Sequence, residues 1–134
     1  CVSVNEEIVH GIPSKARVLK DGDIVSLDAG VIYKGYHSDA ARTYGVGNIS
    51  DKAAKLIEVT RQSFFEGIKF AKEGCHLYEG MTLAIEPMVS AGDYRVKWMD
   101  DDWTASTIDN SLSAHYENTV LVTKNGPEIL SLAE

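Results

Sequence analysis

Cysteine is scarce in this chain: Cys1 and Cys75 are the only two, and one pair does not make the disulfide framework of a small secreted domain. A reduced, cytoplasmic setting is the simpler expectation. Long apolar runs are lacking too. No stretch approaches the roughly 18 residues a membrane helix needs, and no charged segment followed by an apolar one opens the chain. Positive charge is in deficit, with 13 Lys and Arg against 20 Asp and Glu, a formal charge of -7. That field repels phosphate backbones, and without a basic cluster interleaved with aromatics it leaves no nucleic-acid footprint. It does gather divalent cations. Also lacking is an initial methionine: the first residue is Cys1, so the chain is expected to begin inside a longer, N-terminally truncated protein.

What remains is ordinary for one globular domain. The 134 residues are 44% hydrophobic and 25% charged, enough to bury a core. "CVSVNEEIVHGIP" alternates and ends in a turn, and "IVSLDAGVIY" and "HSDAARTYGV" read as strands about a Lys34-Gly35 turn. From Ser50 the period changes to helical, with Ser50 as cap and Gly74 as stop, which predicts a helix over 51–72. Residues Thr82 to Met88 read as one strand ended by Pro87. "YRVKWM" and "TASTI" flank the acidic turn Asp100 to Asp102, and an Asn125-Gly126 turn joins two closing strands.

The anomaly is acid on strands. With a two-residue turn at Lys34-Gly35, Asp28 faces Ala41 and Asp39 faces Gly30. The two carboxylates then lie on one side of the sheet as diagonal neighbours, with Cβ atoms roughly 6 to 8 Å apart. Glu86 interrupts the apolar "TLAIEPM", and Glu117 heads the apolar "ENTVLVT". A buried carboxylate without a partner costs several kcal/mol or takes up a proton. A divalent cation removes that penalty for all four. A lone strand Asp is more often an ion-pair partner; it is the set that points to a metal.

The histidines add less. His10 precedes a Gly-Ile-Pro turn and could reach a cleft, and His37 shares the Asp39 face by alternation. His115 is either a donor beside Glu117 or plain surface, and His76 follows the helix as a dipole-end group. No His-x-x-x-His spacing or paired-cysteine zinc pattern occurs. The donor set is therefore oxygen-rich, leaning towards manganese, magnesium or iron.

Taken together, "VNEEIVHGIP", "VSLDAGVIYKGYHSDAART", "MTLAIEPM" and "LSAHYENTVLVTKNGPEIL" resemble type I methionine aminopeptidase of the creatinase-like, pita-bread fold, and the likeness runs over nearly the whole chain. The resemblance implies an α+β class: an incomplete pita-bread fold, largely antiparallel curved sheet with one long helix retained, with residues 1–134 forming a single partial metallopeptidase catalytic domain. It implies removal of the initiator methionine from a peptide or nascent-chain N-terminus, near the ribosome, by two divalent metal ions (manganese, cobalt, iron or zinc). On that likeness Asp28 chelates one ion, Asp39 and Glu117 bridge both, and Glu86 ligates the other and handles the proton of the attacking water. His10 contacts the substrate around the scissile amide, and Cys1 and Trp103 belong to the pocket for the methionine side chain.

The chain departs from the family in one place. Between the long helix and "EGMTLAIEP" the family carries a second helix, a strand and a Gly-His-Gly-Ile-Gly motif that supplies the one imidazole on the metals. Here "FAKEGCHLY" runs straight into "EGMTLAIEP", as though a segment near Tyr78 were excised. That departure implies impaired turnover, with a noncatalytic metal-binding remnant holding a single ion at Asp28, Asp39 and Glu117, or a partner-binding fragment, as the alternative. Loss of a covering helix also bares apolar sheet, through which self-association is expected.

Overall fold

A hairpin of two ten-residue strands, β3 (Ile24–Tyr33) and β4 (Tyr36–Gly45), organises the sheet in the computed structural model, which describes residues 1–132. Its turn is Lys34-Gly35, with φ of +50° and +85°. Positive φ at both central residues gives a turn whose twist matches that of the flanking strands. The register follows from it without a bulge: Asp28 stands opposite Ala41 and Gly30 opposite Asp39, as the sequence predicts.

Around this hairpin the main sheet runs β1 (Val2–Val4), β3, β4, β10 (Glu117–Thr123) and β11 (Gly126–Ile129), and β5 (Thr82–Ile85) also pairs with β10. Two smaller sheets join β2 (Glu7–Val9), β8 (Ala105–Thr107) and β7 (Val96–Trp98), and β6 (Met88–Ser90) with β9 (Ser113–His115). Every one of these pairings is antiparallel.

One helix is present among the described residues, α1 (Asp51–Ile68). Ser50 caps it by accepting from the Ala53 N–H. Its buried stripe, Ala53, Leu56, Thr60, Phe64 and Ile68, recurs every three or four residues, as one helical face must. The upper stripe packs on Ile24 and Ala114, and the lower on Tyr116 and Val120. The helix stops four residues short of the predicted boundary. Phe70 and Ala71 donate back only three residues, to Gly67 and Ile68, so the last turn tightens and the chain leaves.

Two further expectations need correction. Thr82 to Met88 is not one strand: β5 and β6 belong to different sheets, separated by Glu86 and Pro87. Proline offers no N–H to a ladder, so pairing cannot run through it. The closing hairpin turns at Lys124-Asn125, one residue early, since Thr123 pairs with Gly126 and its hydroxyl bonds the Gly126 carbonyl. Cys1 and Cys75 are free and exposed. No helix among the described residues is long and apolar enough to cross a membrane.

Candidate metal centre

Strand register builds a wall of acid. On β4, Ala41 faces Asp28 of β3 on one side and Glu117 of β10 on the other. Paired residues share a face, so a fully buried alanine leaves room for carboxylates from both neighbours. Asp39, two residues before Ala41, points to the same side and stands diagonal to each. Opposite it is Gly30, where a Cβ would lie 3.4 Å from the Asp39 carboxylate, so a larger residue there would narrow the space above the acid. On the far edge of β10, Ile85 of β5 pairs with Asn118. One more step of that register sets Glu86 beside Glu117.

Two groups of ligand atoms result. Asp28, Asp39 and Glu117 bring one oxygen each to within 4.8 Å of one another, and Glu86, His115 and Glu117 do the same with two oxygens and an imidazole nitrogen. Glu117 belongs to both, and Asp39, which the resemblance assigns to both ions, falls in the first group. Among the candidate residues Glu117 is also the buried acid, at 3% exposure. Burial pushes its carboxyl up to about 7, and the charges of Asp39, Glu86 and Asp28 push the same way against Arg42. A carboxylate under that load calls for a cation. The donors present therefore fit divalent ions.

The histidine was not foreseen as a member. His115 is 2% exposed, so it is not a surface residue. Its Nε2 lies 3.4 Å from Glu86 Oε2 and 3.8 Å from Glu117 Oε2. Burial lowers its imidazole from the ordinary value and outweighs the upward pull of Glu86, Asp28 and Asp39, so the ring is neutral near pH 7. The available signal was alternation: His115 and Glu117 are two apart on extended chain and so face one way. Between them Tyr116 points oppositely, into Phe64 and Phe65 beneath α1.

Arg42 supports the wall from behind. Its guanidinium donates to the carbonyls of Ala41 and Glu117 and to Asn118 Oδ1, and it lies 4.1 Å from the centre of the Tyr116 ring. Asp39 is tied to β10 in both directions by the Thr119 hydroxyl.

Cys1 is exposed, and its backbone exchanges hydrogen bonds with that of Asp28 through its amino group and carbonyl. His10 holds a φ of +64° and its ring stands 5.3 Å from that of Trp103. Trp103 is held by the acidic turn, where Asp101 accepts from the N–H groups of Trp103 and Thr104. A cleft of about 500 Å³ opens beside Asp39, lined by Gly30, His37, Leu83, Ala84 and Thr119. His76 is exposed in the loop after α1.

The family model of metallopeptidase family M24 matches residues 1–79. The methionine aminopeptidase of Clostridium acetobutylicum is 45% identical, in an alignment that takes in 100% of this chain and 73% of that protein. That alignment spans 183 positions, although the chain has 134 residues, so the relative carries internal positions this chain lacks. Methionine aminopeptidase 1 of Bacillus subtilis is 41% identical, covering 98% of this chain and 72% of its own. The crystal structure of methionine aminopeptidase from Thermotoga maritima superposes with a TM-score of 0.94 at 40% identity, covering 99% of this chain and 73% of that one.

Proposed function

This chain belongs to metallopeptidase family M24, among its methionine aminopeptidases, and from that premise we propose that it binds divalent ions at Asp28, Asp39, Glu86 and Glu117 and removes methionine from peptide N-termini. The observation that carries the reading is the pair of ligand groups meeting at buried Glu117. Divalent ions held there would polarise the scissile carbonyl and make a water acidic enough to attack at neutral pH.

The chain's own residues supply the rest. Glu86 is the exposed acid of the four, placed to take the proton of the attacking water and hand it to the departing amine. His10, braced by its ring contact with Trp103, holds the scissile amide. Trp103 and Cys1 border the space for the methionine side chain. Residues 1–134 would form a single partial catalytic domain.

Turnover is lower than in the longer relatives, because the internal positions absent here include, on the family resemblance, the imidazole that serves the metals. A noncatalytic metal-binding remnant is the second reading, favoured by the same missing positions; the hairpin end is bare as well, with Val31, Ile32, Tyr33 and Tyr36 all exposed. The same bare residues would support self-association. The test is methionine release from a Met-Ala peptide with added manganese or cobalt. The reading requires turnover above a Glu86→Ala control. Equal rates in the two proteins would leave only the metal-binding remnant.

A further inference from the structure

We propose that His115 is a nitrogen ligand of the ion held by Glu86 and Glu117, which makes the two halves of the centre chemically unlike. One half is all carboxylate, from Asp28, Asp39 and Glu117. The other mixes imidazole with carboxylate and so favours zinc, cobalt or iron over magnesium. The inference rests on the reading that these carboxylates bind divalent ions, and it adds a ligand that the acids alone do not supply.

The first support is an unmet need. The His115 Nε2 is buried and makes no well-formed hydrogen bond, its nearest acceptor, Glu86 Oε2, standing 3.4 Å away. A buried polar atom left so costs about 1–3 kcal/mol, and native proteins rarely leave one without a reason.

Distance is the second. Nε2 stands 3.4 Å from Glu86 Oε2 and 3.8 Å from Glu117 Oε2. Two ligands each about 2.1 Å from a common ion lie about 3.0–3.8 Å apart for angles of about 90–130° at the metal. Both nitrogen–oxygen distances thus suit ligands of one cation, and the three ligand atoms lie within 4.8 Å of one another.

Third, the backbone that carries the ring is held in place. The His115 N–H donates to Thr43 Oγ1, and Thr43 Oγ1 donates to the His115 carbonyl. β9 pairs with β6 so that His115 faces Met88, and the next N–H, of Tyr116, donates to the Pro87 carbonyl. Backbone pinned on both sides cannot carry the imidazole away from Glu86 and Glu117.

The test uses the full chain with ¹⁵N-labelled histidine, titrated with Zn²⁺ near neutral pH. Four imidazoles report: His10, His37, His76 and His115. The expected result is one Nε2 resonance that moves to a metal-bound position and stops responding to pH. In His115→Gln that resonance is gone, and one Zn²⁺ equivalent binds at least about tenfold more weakly. If His115→Gln does not fold, then His10→Gln, His37→Gln and His76→Gln assign the signal, since each should retain it. A shifted resonance that survives His115→Gln, or disappears with one of the other three, overturns the proposal. So does Zn²⁺ retained by the parent with no imidazole shifted, a result that leaves the carboxylate site standing. Failure to retain Zn²⁺ at all overturns both.

Discussion

The two sides of Glu117 are built by different means. On one side, Asp28 and Asp39 are placed by uninterrupted strand register, fixed by one tight turn. On the other, Glu86 and His115 sit where the chain leaves one sheet for another, at Glu86-Pro87 and at Tyr116. A regular ladder sets side-chain direction by counting. A sheet switch sets it by packing, here through the Tyr116 ring under α1 and the Pro87 carbonyl. One ligand group is therefore a consequence of local rules, and the other of tertiary structure.

The most severe way to break that comparison is to remove the residue both sides share. Glu117→Gln should weaken binding of both ions, each by more than about 100-fold, because a direct ligand is lost rather than a supporting contact; calorimetric titration with manganese reads this. Asp28→Asn, by contrast, should weaken one ion and spare the other.

The metal-free protein offers a second test. The Glu117 carboxyl is raised from 4.5 to about 7 in the folded state. Between those values the folded chain keeps a proton that the unfolded chain has lost. Stability should therefore fall as pH rises from about 4.5 to about 7, by about 3 kcal/mol in all. Chemical denaturation at several pH values measures the slope. Saturating manganese should abolish it, and so should Glu117→Gln.

Smaller effects separate the two constructions. Gly35→Val puts a branched side chain at a φ of +85° and should cost about 1–2 kcal/mol. A slip by one residue there would turn Asp28 and Asp39 to opposite faces, so the loss of affinity should fall on their ion alone. Pro87→Ala should change stability by less than about 1 kcal/mol. It lets pairing continue past Glu86, and the loss should fall on the other ion.

The same contrast explains what could be read in advance. The hairpin, its register, and the convergence of Asp28 with Asp39 follow from a turn signal and alternation. The helix start follows from Ser50, but its end does not, because the chain tightens after Ile68 into bonds three residues back at Phe70 and Ala71 although Ala71 is still buried. Pro87 announced a break without saying that β6 would join another sheet. His115 carried no ligand spacing, since its partner Glu86 arrives from a distant segment. Arg42 was equally silent, as its bonds to the Ala41 and Glu117 carbonyls depend on which strand lies beside β4.

Anomalous diffraction from manganese-soaked crystals tests the central claim most directly. The account predicts density at two positions: one enclosed by Asp28, Asp39 and Glu117, the other by Glu86, His115 and Glu117. A map empty at both, or peaks confined to other carboxylates, would contradict it.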